Sequence, residues 1–79
     1  MVPRYPEAAR RLGLSGSVLI EMIVTEHGLP EQVHVLESAG AILDETVIAA
    51  VSSWRFEPAV RDGVKARVRW PYRHTFTPR

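Results

Sequence analysis

The sequence predicts an α+β fold, a three-stranded antiparallel sheet with two helices packed on one face, in the order α-β-β-α-β. Three observations carry that prediction. From Arg67 to Phe76 polar and apolar residues alternate, with Val68, Trp70, Tyr72, His74 and Phe76 on one face and Arg67, Arg69, Pro71, Arg73 and Thr75 on the other. From Ser17 to Thr25 apolar residues fall on both faces, Val18, Ile20, Met22 and Val24 on one and Leu19 and Ile23 on the other, as in a central strand. Leu43, Val47, Ala50, Val51 and Trp54 recur at spacings of three and four, the stripe of an amphipathic helix.

The first element is introduced by Tyr5 and Pro6. Proline suits the first turn of a helix, where its missing N–H costs nothing. Glu7 to Leu12 continues as a short helix with Gly13 as its stop, and Tyr5, Ala9 and Leu12 form its expected buried side. So short a helix depends on packing. Ser15-Gly16 then turns the chain into the central strand. Glu26 to Leu29 is a hairpin loop in which Gly28 is free to take positive φ. Gln32 to Glu37 returns as a second strand, with Val33 and Val35 on one face and His34 and Leu36 on the other. Ser38 to Ala41 is a loop, and the main helix runs from Leu43 toward Trp54, with Asp44 and Glu45 in its first turn, where carboxylates suit the dipole. Pro58 biases Glu57 toward an extended backbone, so the helix ends by Phe56. Asp62-Gly63 is a turn. The helix stripe is expected to cover Val18, Ile20, Met22, Val24, Val68, Trp70 and Tyr72.

Seventy-nine residues make one small domain, spanning 1–79. A chain this size buries only roughly 60% of its unfolded surface, so the core is thin. With no cysteine, neither a disulfide nor a thiolate metal site reinforces it. The net charge of +1 hides an asymmetry. Residues 1–60 carry four arginines and eight carboxylates, residues 61–79 six Lys or Arg and one Asp. The basic end suits an acidic peptide, nucleic acid or a membrane surface, or else simple solubility on an exposed strand face. No apolar run is long enough to span a membrane, and no leader peptide pattern is visible, so the chain reads as a domain excised from a longer protein.

No catalytic centre emerges, and no cofactor is expected. The three histidines, His27, His34 and His74, share no helical spacing and no acidic pair completes a ligand pattern, so no metal is expected. Asp44 and Glu45 are adjacent on a helix and point apart. Gly13, Gly16 and Gly28 lack phosphate-loop spacing. The aromatic residues are needed for the core, so nucleic-acid binding is not expected.

What remains is the last strand. A proline inside a strand argues for a sheet edge, and an open edge accepts another backbone. Arg67, Arg69, Pro71, Arg73 and Thr75 share one hydrogen-bonding direction, expected to face the free edge because Pro71 has no N–H. The arginines have two readings, attraction of an acidic residue in the partner or an aggregation-resistant wet face. Tyr5 and Pro6 also have two, packing the short helix or adjusting how the domain hangs from a tether.

The chain resembles the C-terminal domain family of the energy transducer TonB. Tyr5-Pro6 with Ala9-Arg10, Gly16-Ser17-Val18, Val24-Thr25-Glu26-His27-Gly28, Val35 to Gly40, Leu43-Asp44, Trp54-Arg55-Phe56-Glu57-Pro58-Ala59, Arg61-Asp62-Gly63 and the last strand carry the resemblance. Trp54 to Ala59 is the most specific motif, and the core and signature positions are Tyr5, Pro6, Gly16, Gly28, Leu43, Trp54, Phe56, Pro58, Gly63 and Trp70. The resemblance implies a non-enzymatic periplasmic domain of an inner-membrane-anchored protein of Gram-negative bacteria. It implies capture of the TonB box of outer-membrane transporters as a strand added beside the last strand. It also implies, through an absent N-terminal anchor, inner-membrane proton-channel partners that power active import such as iron uptake. Docking to another periplasmic or secretion partner, as in TolA-like domains, and a strand-exchanged homodimer are the alternatives.

Overall fold

A computed structural model describes residues 2–77. The elements are α1 (Glu7–Arg11), β1 (Gly16–Val24), β2 (Pro30–Glu37), α2 (Ala41–Ser52), β3 (Ala59–Arg61), β4 (Val64–Ala66) and β5 (Val68–Phe76). β1 lies at the centre of an antiparallel sheet ordered β2-β1-β5, and β3 and β4 form a separate hairpin. The predicted α+β fold is therefore present, with that hairpin as an addition. The Asp62-Gly63 turn sits at its tip, Asp62 with φ +54° and Gly63 with φ +81°. Strands of three residues have too little alternation to announce themselves.

α1 ends in a tight reversal. The Leu14 N–H bonds the Ala9 carbonyl (2.9 Å) and the Gly13 N–H bonds the Arg10 carbonyl (3.1 Å), with Gly13 at φ +69°. This is a Schellman closure, in which the residue after the glycine folds back onto the helix. It corrects one expectation: Leu12 is 68% exposed, and Leu14 packs on the core in its place. Ala9 is fully buried as expected. Tyr5 donates its hydroxyl to the Leu14 carbonyl and sets its ring edge against Phe76, 5.3 Å between centroids.

The core is Ala9, Val18, Ile20, Met22, Val24, Leu43, Val47, Val51 and Phe76. β1 contributes Val18, Ile20, Met22 and Val24, one face of the strand. α2 starts at Ala41, two residues before the expected Leu43, because Asp44 organises its entry. Its carboxylate accepts the Ala39 N–H (2.9 Å) and the Ser38 hydroxyl. The helix stops at Ser52. Ser52 and Ser53 turn their hydroxyls onto the Ile48 and Ala50 carbonyls, a local competition that suits a helix end. Trp54 therefore lies past the helix instead of completing its stripe.

That early stop changes what covers the sheet. α2 packs on β1 and β2, while the segment after it turns back over β5. Trp54 meets Tyr72 edge-on at 4.9 Å, and Phe56 lies 6.4 Å from Trp70. The expected cover of Trp70 and Tyr72 by the helix is thus supplied by Trp54 and Phe56, and Trp70 stays 48% exposed.

The segment is tied down at one point. In the β1–β2 loop the Thr25 hydroxyl oxygen accepts the N–H groups of His27 and Leu29, both at 3.2 Å. This brings Gly28 to φ +77°, and its carbonyl accepts the Phe56 N–H at 2.9 Å. The loop thus fixes the signature segment, which in turn covers β5.

The two outer strands differ. β1 and β5 pair without interruption from Gly16↔Phe76 to Val24↔Val68. The β1–β2 register shifts twice, and Gln32 sits at φ +51°. These irregularities twist the β2 edge away from further pairing. The fold is also long, 48 × 21 × 18 Å, with a radius of gyration of 14.2 Å. A compact chain of this length has about 12 Å. The β3–β4 hairpin leads into β5 and pairs with itself, leaving Val60 and Val64 exposed.

Candidate docking edge

β5 is the regular margin of the sheet, as its proline predicted. Arg69, Pro71, Arg73 and Thr75 alternate along it, and Arg67 immediately precedes it. Pro71 lies opposite Glu21 and Thr75 opposite Ser17, with the two hydroxyls 2.8 Å apart.

The arginines, however, are engaged. Arg67 reaches Glu31 at 2.9 Å and Glu26 at 3.8 Å, Arg69 lies 3.7 Å from Glu21, and Arg73 sits 3.2 Å from Glu37. The Arg67 guanidinium is held more firmly charged by its hydrogen bond to Glu31. Glu37 and Arg73 both lie opposite Leu19, so their bridge spans the central strand. The outer sheet face is thus acidic along β2 and basic along β5, and Leu19 and Ile23 are half-buried between these charged neighbours, opposite Arg73 and Arg69. This accounts for apolar residues on a face that carries no helix. Exposed pairs contribute only about 0–1 kcal/mol each, so an incoming charge can displace them.

The opposite face of β5 carries a continuous aromatic row. Tyr5 touches Phe76, Phe76 touches His74 (4.6 Å), His74 stacks on Tyr72 (6.2 Å), Tyr72 touches Trp54, and Trp54 touches Phe56 (6.1 Å). Alternation identified the β5 members of this row. Tyr5, Trp54 and Phe56 reach it only through tertiary folding, although all three belong to the signature positions. Gly16 at φ +136° and Gly28 at φ +77° hold the positions that needed glycine. Leu43 is fully buried, and Pro58 precedes β3.

Burial holds the His74 imidazole below its usual pKa of 6.5, while its Nδ1 lies 3.2 Å from the Tyr72 hydroxyl. The unfolded chain therefore takes up a proton before the folded one does. The contribution of His74 to stability is complete above about pH 6.5 and is lost progressively as pH falls toward the lower folded value. Urea denaturation between pH 7.5 and about pH 5 is expected to show this loss, and His74→Phe to flatten the slope. An unchanged slope in the variant would assign the acid sensitivity elsewhere.

Among the described residues no group of three or more acidic or histidine side chains could hold a metal ion. No helix among them is long and apolar enough to cross a membrane.

Fold and edge together define a class: a small α+β domain whose sheet ends in one regular strand paired on one side only. Comparison with known proteins gives the family. The family model for the Gram-negative bacterial TonB protein C-terminal region matches residues 1–77. Protein tonB2 of Pseudomonas aeruginosa is 41% identical over 69 residues, covering 86% of this chain and 25% of the relative. Protein TonB of Vibrio cholerae is 36% identical over 63 residues, covering 78% and 26%. The solution structure of the Pseudomonas aeruginosa TonB C-terminal domain superposes with a TM-score of 0.82 at 31% identity, covering 98% of this chain and 79% of that one. The chain belongs to the TonB C-terminal domain family. It spans about a quarter of the length of those two curated TonB relatives.

Proposed function

We propose that this domain captures an extended segment of an outer-membrane transporter, the TonB box, by strand addition along the free edge of β5. It is then the periplasmic receiving end of a transducer anchored in the inner membrane, passing proton-motive force to the transporter for active import. The observation that carries this reading is the asymmetry of the two sheet edges. β5 pairs in unbroken register with β1, whereas β2 is irregular.

The chemistry follows from parity. Pro71 has no N–H, so its pair with Glu21 takes the non-hydrogen-bonded position. Alternation then directs the backbone groups of Arg69, Pro71, Arg73 and Thr75 outward. An added strand meets N–H donors at Arg69, Arg73 and Thr75, and a carbonyl but no donor at Pro71. Each backbone bond contributes about 0.5–1.5 kcal/mol net. After the cost of ordering a flexible peptide, the affinity is modest, which suits a partner released in every cycle.

The test is an amide NMR titration of the domain with a short TonB-box peptide, in a sample shown monomeric by light scattering. Shifts concentrated on Arg67 to Phe76 are the expected result. Shifts on β2 instead, or none at millimolar peptide, would overturn strand addition at β5.

A further inference from the structure

We infer that Arg10 reads a carboxylate of the segment added to β5. This deepens the strand-addition reading and rests on it. An open cleft lies between α1 and the C-terminal end of β5, lined among others by Tyr5, Glu7, Arg10, His74, Thr75 and Phe76. Thr75 belongs to the outward-bonding set, and His74 and Phe76 belong to the inward-facing side chains, so the cleft opens on the free margin of the strand. Side chains of an added strand alternate in the same way. Those on the side of His74 and Phe76 project into this cleft.

The charges there are unbalanced in one place. Arg67, Arg69 and Arg73 lie on the opposite face of the sheet and bind carboxylates of their own chain. Arg11 is held by Glu7 at 2.8 Å, one helical turn away, which neutralises both. Arg10 lines the cleft, is exposed, and makes no ion pair among the described residues. A guanidinium lining the same cleft as Tyr5 and Phe76 suits a peptide with an acidic residue at one inward position and an apolar neighbour two residues along. The acidic partner expected for the β5 arginines is thereby assigned to a different side chain, on a different element.

The experiment uses a set of Val- and Thr-rich peptides, each carrying a single Glu at a different position, with Gln counterparts. They are titrated into the wild type, Arg10→Gln and Arg73→Gln while the β5 amides are followed. At one position the Glu-to-Gln change is expected to weaken binding by about two- to fivefold in the wild type and in Arg73→Gln. In Arg10→Gln that difference disappears. β5 shifts with a Glu preference that survives in Arg10→Gln would overturn the role of Arg10 and leave strand addition standing. A preference lost in Arg73→Gln alone would assign it to the outer-face arginines. No shifts on β5 with any peptide would overturn strand addition and this inference together.

Discussion

Replacing Gly28 by alanine is expected to destabilise the domain by about 3 kcal/mol or more. Two costs combine. Gly28 sits at φ +77°, where a side chain is strained, and an added Cβ runs into the Phe56 carbonyl oxygen. Backbone cannot swing aside as a flexible side chain can. The glycine carbonyl is also the acceptor for the Phe56 N–H, so relieving the clash breaks that bond. In a domain this small the loss corresponds to a fall in melting temperature of about 12–24 °C. Gly63→Ala is the control. Its φ of +81° is similar, yet a Cβ there meets nothing within 4 Å, so only the backbone cost of about 1–2 kcal/mol applies. Circular dichroism melts of the two variants separate the terms. Equal losses would mean that the loop does not bear on the signature segment. An effect on the proposed docking at β5 is expected as well, because this contact fixes the segment from which Trp54 and Phe56 cover the inner face of β5.

A pair of proline substitutions on neighbouring β5 residues is expected to part binding from folding. His74 lies opposite Val18, and by the parity argued from Pro71 its N–H is used inside the sheet. His74→Pro removes that bond, disrupts the Phe76–His74–Tyr72 row, and is expected to cost about 3 kcal/mol or more. Arg73 lies opposite Leu19 in the same parity as Pro71, with its N–H outward. Arg73→Pro is expected to leave the fold cooperative and to weaken the docking peptide by about tenfold or more, since a buried acceptor on the peptide loses its partner. Thermal melts and the NMR titration read the two effects. The reverse result, with Arg73→Pro unfolding the domain and His74→Pro tolerated, would invert the assignment of outward groups.

Much of the fold was legible because its signals are local. Alternation identified the inner face of β5, and two-sided hydrophobicity identified β1 as the central strand. Pro71 marked the edge because a missing N–H is a property of one residue. Gly28 marked the hairpin loop for the same reason. The buried stripe Leu43, Val47, Ala50 and Val51 is a property of helical periodicity alone.

The misses have a common cause in contacts between distant segments. Leu12 was expected inside, but the Gly13 reversal gives its place to Leu14. Trp54 fits the helix stripe by spacing, yet serine side chains end the helix first and the tryptophan turns to Tyr72, eighteen positions later. The β3–β4 hairpin is two strands of three residues, too short to alternate visibly. The arginines of β5 look free in sequence, because nothing in the order of residues announces that Glu37 and Arg73 flank the same Leu19.

The sequence by itself therefore determined the fold class, the central strand, the edge strand and the residues that line that edge. These follow from steric and hydrogen-bonding rules acting over a few residues. Only the tertiary structure decided that the signature segment reaches over β5, and that the outer arginines are paired while Arg10 makes no ion pair among the described residues. Those outcomes depend on which distant side chains meet when α1, the β1–β2 loop and β5 close on one thin core.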